Sequence, residues 1–356
     1  MAYRAMPSDM ALRTIRDMLD AYADRCKRFE SVDNIMPREY LKEVFPKLET
    51  PPGVSFFYEV KADLKEHEME ILGRAQVSQI QPGIESLASS TLKLMGKGTT
   101  AFHNLAFLKS CVSYGINPSW NLLIGFPGEQ EEVYEKYLRD LPLLPHLPPP
   151  SGAFPVRFDR FSPYFTRAES YGLKLSPYDF YRYIYPFDEE TLGKIAYFFE
   201  DRNYQAEYLS HVATWQTRLM DAVSAWSERW EGGPESVQGM LYLRRHAGGG
   251  TVVDTRSGEM AQIPFGPLAV SIHDATYSKG WAPRSIAKQI KQDEAQVVEQ
   301  VERLAGLGLL FEEGGRYMSL ILDEDRQPTE RQANAALLAA SGAGHSGADH
   351  GDAARA

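Results

Sequence analysis

Cysteine is nearly missing from this chain: its 356 residues contain two, Cys26 and Cys111. Two distant thiols build neither a disulfide framework nor a cysteine metal site, and both read as reduced, partly buried side chains of a cytosolic protein. No apolar run reaches the length of a membrane span. Met1–Ser8 lacks the apolar core of a secretory signal. Positive charge is also in deficit. Lys and Arg number 38 against 48 Asp and Glu, a formal net charge of −10 that argues against a general nucleic-acid surface. What the chain does have is 43% hydrophobic residues and enough length for a large core and more than one domain.

From Ser8 to about Pro163 helix and strand patterns alternate. Ser8 and Asp9 can cap a helix whose Leu12, Ile15, Leu19 and Tyr22 share a face. Phe29–Ile35 reads as a strand and Arg38–Leu48 as a helix. After Pro51-Pro52-Gly53 comes the apolar strand Val54–Val60, then a helix to about Arg74 and a strand Val77–Ile80. Ala101–Tyr114 is helical, Trp120–Ile124 a strand, Glu131–Leu141 a helix and Val156–Phe161 another strand. Such alternation predicts an α/β fold with a parallel sheet, open or closed into a barrel.

The remainder is organised differently. Leu141–Pro155 is crowded with prolines and reads as a rigid surface connection. Tyr164–Phe187 is rich in aromatic residues, which fits either a core or cap over the sheet or the wall of a binding surface. Helical patterns then run from Glu189 to about Trp230. A smaller unit begins near Ser236, with strand-like Leu241–Arg245 and Thr251–Asp254 and a helical stretch around Leu268–Tyr277. Helices Arg284–Lys291 and Glu294–Leu307 follow, the second aligning Val297, Val301 and Leu304, and then a hairpin from Leu309–Glu312 and Tyr317–Leu322. Helix, turn, helix and hairpin is the order of a winged helix. From Arg326 the chain reads as disordered, with His345 and His350 incidental. The expected units are 1–165, 166–235 (helical and aromatic-rich), 236–325 and the tail 326–356.

Two glycine patterns stand at predicted strand ends. The first is Gln81-Pro82-Gly83-Ile84-Glu85-Ser86, followed by Lys97-Gly98-Thr99-Thr100. The second is Asn121-Leu122-Leu123-Ile124-Gly125-Phe126-Pro127-Gly128-Glu129. Glycine at the carboxyl end of a strand lets a ligand approach the backbone, and α/β sheets bind ligands at that end.

These patterns, with Glu59 on the preceding strand, resemble the S-adenosylmethionine (SAM) binding strands of radical SAM enzymes. Tyr58-Glu59-Val60-Lys61-Ala62, the Gln81–Leu87 phrase and Asp159-Arg160-Phe161-Ser162-Pro163-Tyr164 look like the cobalamin-dependent members that mature ribosomally made peptides (RiPPs), the RiPP maturation C-methyltransferases. The resemblance implies a partial radical SAM β/α barrel, with a C-terminal helical and winged-helix-like region. It also implies SAM, a 4Fe-4S cluster and cobalamin as cofactors, and a precursor peptide as partner, with neither nucleic acid nor membrane. Its chemistry would use one SAM to methylate cobalamin and another as the source of an adenosyl radical.

By analogy, Glu59 contacts SAM, Gly83 admits it, Glu85 and Ser86 bond its ribose or amino-acid part, and Asn121, Ile124 and Gly125 line its adenine and ribose side. The plain readings are a solvated strand-end Glu59, turn formation around Gly83, and a loop role for Gly128 and Glu129. Asp33 and Asn34 either face substrate or cap a helix; Arg160 either neutralises a carboxylate or forms a structural salt bridge. The family's CxxxCxxC loop, whose thiolates hold the cluster, and its cobalamin domain have no counterpart in this sequence. Met1 is therefore expected to be an internal methionine, and the chain alone is expected to be inactive. Other readings are a methylthiotransferase-like or coproporphyrinogen oxidase-like branch, and a non-catalytic protein whose winged-helix segment takes a leader peptide by strand addition.

Overall fold

A computed structural model describes residues 4–32, 35–232 and 238–324. Asp33, Asn34, Ser236, the opening Met1-Ala2-Tyr3 and the tail with His345 and His350 lie outside the described residues.

Helix α1 (Ser8–Tyr22) leads to β1 (Arg28–Glu30), α2 (Tyr40–Glu43), β2 (Ser55–Val60), α3 (Glu66–Arg74) and β3 (Val77–Pro82). Then come α4 (Ser89–Leu94), α5 (Ala101–Tyr114), β4 (Asn117–Pro118), β5 (Leu122–Ile124), α6 (Glu132–Asp140) and β6 (Ala153–Pro155). Strands β1 to β4 pair in chain order, all parallel. A parallel bridge from Glu85 to Leu122 carries the array on to the parallel pair β5–β6. The result is the expected partial β/α barrel, with helical crossovers between successive strands except β4 and β5, which follow one another without a helix. On β2 the alternation is plain: Phe56, Tyr58 and Val60 are buried, while Ser55, Phe57 and Glu59 lie half-buried on the other face. The Tyr58 ring packs edge-on against Phe45 of the outer layer, so Glu59 faces the hollow of the sheet.

Several expected boundaries move. Of the strand predicted at Phe29–Ile35, the described residues form the end of β1, which Ser31 extends through its N–H to the Phe57 carbonyl. The helix predicted over Arg38–Leu48 breaks into α2 and a 3-10 turn at Phe45–Lys47, because Pro46 cannot continue an α-helical ladder. The strand placed at Val156–Phe161 divides. Its parallel part lies upstream as β6, and β7 (Phe158–Asp159) joins a different sheet.

The proline-rich stretch is no surface connection. Leu144, Pro145, His146, Leu147 and Pro148 are buried. They lie beneath α10 (Glu207–Glu231), introduced below, whose Trp226 indole N–H donates to the Leu147 carbonyl at 2.7 Å. Trp120 donates to Pro148 at 3.2 Å. A segment with few ladder bonds can be buried because these indoles satisfy its carbonyls.

The region expected to be helical is partly a sheet. After α7 (Pro163–Thr166) come β8 (Leu175–Pro177), α8 (Phe180–Ile184), α9 (Glu189–Ile195) and β9 (Phe198–Asp201), and the strands form an antiparallel sheet ordered β7-β9-β8. Phe158, Leu173, Tyr181, Leu192, Phe199 and Tyr208 make a small separate core. Tyr164, Phe165, Tyr171 and Tyr178 pack on it, whereas Phe180, Tyr183, Tyr185 and Phe187 are exposed. Helix α10 then covers α6 and β6.

The C-terminal unit opens with an antiparallel meander of β10 (Leu241–His246), β11 (Gly249–Asp254) and β12 (Ala261–Phe265). Helices α11 (Pro267–Thr276), α12 (Pro283–Ile290) and α13 (Glu294–Gly306) follow, then the hairpin β13 (Leu310–Glu313) and β14 (Arg316–Ser319). Strand β15 (Leu322–Asp323) runs parallel to β10. This is the expected winged-helix order, enlarged by a sheet. Its core is continuous with that of the barrel. Lys109 of α5, 1% exposed, donates across the junction to the carbonyls of Tyr277 and Ser319, both at 2.8 Å.

Candidate SAM-binding site

The hollow face of the parallel sheet is polar at its carboxyl end. Glu59 ends β2 beside Gln81 of β3, and among the described residues no side chain pairs with its carboxylate. Two residues on, Gly83 is half-open and Glu85 adopts φ +60°, which turns its carboxylate back beside Gly83. The Lys97 ammonium lies 3.2 Å from Glu85 Oε1 and 3.2 Å from the Gly83 carbonyl. Asn121, just before β5, is exposed. Of the residues singled out from sequence, Glu59, Gly83, Glu85 and Asn121 thus lie on accessible surface.

The others are inside. Ser86 is fully buried, its hydroxyl 2.7 Å from the Tyr137 hydroxyl and accepting from the Ala88 N–H at 3.0 Å. Ile124 is fully buried in the main core. Gly125 has φ +78°, and a Cβ there would stand 2.4 Å from Val212 Cγ2 of α10. That glycine is required by the close approach of a helix. Arg160 neither pairs with a carboxylate nor faces the hollow; its guanidinium donates to the carbonyls of Gly193 and Ala196.

Sequence reasoning gave Glu129 no more than a loop role, and the structure makes it the centre of the Gly125–Gly128 loop. Its carboxylate, 2% exposed, accepts from Gly125 N–H at 2.8 Å, Phe126 N–H at 3.2 Å, Tyr134 at 2.8 Å and Thr91 at 2.6 Å. Burial, and then this carboxylate, hold the Tyr134 and Tyr137 phenols well above their ordinary range, so both remain protonated. An acid four residues after a strand-end glycine is the signal that could have pointed to it. Lys97 stands in the sequence only as part of a phrase, because nothing in sequence shows a side chain folding back onto Gly83.

The accessible set fits SAM: carboxylates for an ammonium, an amide for ribose hydroxyls, and a glycine for close approach. It does not fit an iron–sulfur cluster. Cys26 donates its S–H to the Arg28 carbonyl at 3.1 Å, and Cys111 is buried within α5. Two thiols are too few for the three-cysteine set. The one candidate metal cluster among the described residues, His273, Asp274 and Asp323, already holds the Arg245 guanidinium, 2.6 Å from each carboxylate.

Residues 2–141 match the model of the Radical SAM superfamily. No curated protein matches the chain. Among solved structures it is similar to the cobalamin-dependent S-adenosylmethionine radical enzyme OxsB with aqua-cobalamin bound (19% identity, TM-score 0.32), over 39% of this chain and 23% of that one. The chain thus spans about a quarter of the length of that enzyme. It is also similar to Elp3 of Methanocaldococcus infernus (13% identity, TM-score 0.33, covering 87% of this chain and 94% of that one). A third is coproporphyrinogen III oxidase HemN of Escherichia coli, a radical SAM enzyme (10% identity, TM-score 0.35, covering 88% and 79%).

Proposed function

We propose that this chain is the SAM-binding part of a cobalamin-dependent radical SAM enzyme that methylates an unactivated carbon of a ribosomally made precursor peptide. The observation that carries the SAM reading is the accessible set of Glu59, Gly83 and Glu85 at the carboxyl ends of β2 and β3, with Asn121 next to the Glu85–Leu122 bridge, within the stretch that matches the Radical SAM model. SAM bound there supplies a sulfonium whose adenosyl or methyl group is the reagent. The chain's own residues bind and orient it. Glu59 and Glu85 take the ligand's ammonium, Asn121 its ribose hydroxyls, and the Glu129-capped loop fixes the end of β5.

Calorimetric titration with SAM tests the binding. Micromolar binding that Glu59→Gln and Glu85→Gln weaken is expected, and a wild type that takes no SAM refutes the proposal. The peptide claim is tested by mass spectrometry of a precursor treated with the fully reconstituted system. Gain of one methyl supports it; a methylthio group or loss of carboxylate assigns another branch.

The C-terminal unit supports a second, non-catalytic reading, the docking of a leader peptide. Among the described residues, strand β12 has β11 as its one sheet partner, with no strand paired to its other edge. A cavity of about 170 Å³ between β12 and α13 is lined by Ile263, Phe265, Gln300, Arg303, Leu304 and Leu307. An open edge beside an apolar cleft is suited to strand addition. Asp293, Glu294, Glu299 and Glu302 on and before α13 oppose nucleic acid. Fluorescence anisotropy of a labelled leader peptide with the full chain tests this. Binding lost in Arg303→Glu is expected, and binding indifferent to it sinks the reading.

A further inference from the structure

The aromatic stretch Tyr164–Phe187 divides into a buried part and an open one, and the division turns on Tyr181. That residue is 8% exposed, and its hydroxyl accepts the N–H groups of Tyr197 and Phe198 at 2.9 and 3.2 Å. With α8 pinned by this side chain, its neighbours face outward. Phe180, Tyr183, Ile184, Tyr185 and Phe187 are exposed, Tyr183 by 88%. Single apolar residues on a surface mean little, but their crowding into one short stretch marks an interaction face.

The rings are also ordered. Tyr178, Phe180, Tyr181, Tyr185 and Phe187 follow one another at centroid spacings of 5.8, 4.5, 6.3 and 6.1 Å. Their interplanar angles are 19°, 28°, 18° and 3°. Near-parallel rings at such spacings form ridges with shallow slots between them. Local bonds hold the far end: Phe187 N–H donates to the Tyr185 carbonyl at 2.9 Å across Pro186, and Asp188 caps α9 through Thr191 N–H at 2.7 Å. A face already held in place loses little side-chain freedom on binding.

Charge and backbone select the occupant. Asp179, Asp188, Glu189 and Glu190 outnumber Arg182 and Lys194 over residues 178–197, so the face is net negative and repels phosphates. Cations suit its rings too: the same unit lays Arg157 over Phe198 at 4.0 Å and Arg160 over Phe165 at 5.1 Å. Strand addition is disfavoured. Among the described residues β8 has β9 as its one sheet partner, and it is three residues long and ends at Pro177, which has no N–H to offer. A partner must dock through side chains, as a polyproline II segment does, since its backbone needs no ladder.

We propose that this face docks an extended, proline-bearing, cationic segment of another polypeptide. Prolines sit in the slots between the rings, and basic side chains meet the carboxylates and ring faces. The assignment stands on the unit after β6 and is independent of the SAM reading.

The test is fluorescence anisotropy of the full chain with a labelled proline-rich peptide carrying arginine at both ends. Saturable micromolar binding is expected, weakened about tenfold or more in Tyr183→Ser and in Phe187→Ser. Tyr204→Ser removes a ring that is 77% exposed but outside the run, and should leave binding unchanged. Glutamates in place of the peptide's arginines should abolish it. A wild type without saturable binding, equal binding of the glutamate peptide, or an equal loss in Tyr204→Ser overturns the proposal. Sedimentation velocity tests the rival occupant: self-association that Tyr183→Ser abolishes would assign the face to a second copy and overturn the peptide. Thermal midpoints of the variants control for folding.

Discussion

Substituting Gly125 tests whether helix or ligand decides that position. Gly125→Ala keeps the N–H that Glu129 and Tyr134 accept, at 2.8 and 3.0 Å. It adds two costs. An alanine at φ +78° loses about 1–2 kcal/mol. The new methyl would stand 2.4 Å from Val212 Cγ2, far inside an ordinary contact, and overpacking of this kind costs about 1–3 kcal/mol. Together they come to about 2–5 kcal/mol. Val212→Ala alone removes a half-buried side chain and should cost about 1 kcal/mol. In the double variant the collision disappears and the backbone strain remains. It should therefore be less destabilised than the sum of the singles by about 1–3 kcal/mol. Equilibrium urea unfolding followed by circular dichroism gives all four corners of the cycle. Additivity within about 0.5 kcal/mol would refute the account of Gly125 as a seat for α10. SAM affinity supplies a second reading: Val212→Ala restores it in the double variant only if packing, not ligand approach, fixes the glycine.

Three further expectations concern buried polar groups. His146 donates from Nε2 to the Leu320 carbonyl, and burial, reinforced by nearby Arg256, pulls its pKa from 6.5 down to about 3. The neutral ring's stability is complete above pH 6.5 and drains as pH falls toward 3, amounting to about 2 kcal/mol by pH 5. His146→Gln should show a flatter acid limb between those values in urea titrations, and an unchanged limb would contradict this. Lys109→Ala removes the donor shared by the Tyr277 and Ser319 carbonyls and should cost about 2–4 kcal/mol in urea unfolding. A loss below about 0.5 kcal/mol would show that water replaces the ammonium there. Glu129→Ala frees two backbone N–H groups and two hydroxyls and should cost about 2–4 kcal/mol, with Glu129→Gln recovering part of it. Equal losses in the two variants would mean that the shape and the single acceptor oxygen kept by Gln contribute nothing, against the partial recovery expected here.

How far the fold was legible depends on where each element's signal resides. Helix α13 carries Val297, Val301 and Leu304 on one face, and all three are buried, so its periodicity sufficed. Strand β12 was invisible because Pro264 interrupts a short, weakly apolar run, a residue tolerated there because the strand lies at an edge. The burial of Leu144–Pro148 depends on the indoles of Trp120 and Trp226, the latter about eighty residues away in sequence, and no local pattern could announce it. At the candidate site the strand ends were readable from glycine and polar spacing. The division into open Glu59, Gly83, Glu85 and Asn121 and enclosed Ser86, Ile124 and Gly125 was not. It is set by Tyr137 and Val212, partners supplied by distant helices.

The junction at Lys109 bears on how such a chain can change over time. Because one core runs from Ala11 to Leu322, the winged-helix unit is not a detachable cassette. A replacement acquired by recombination would have to present two carbonyls to the same ammonium and a ring to Phe102, which now meets Phe311 edge-on at 5.6 Å. Melting should accordingly be cooperative across the two parts, with no plateau at which the barrel survives alone. A lineage that alters the C-terminal unit is thereby constrained to alter helix α5 with it.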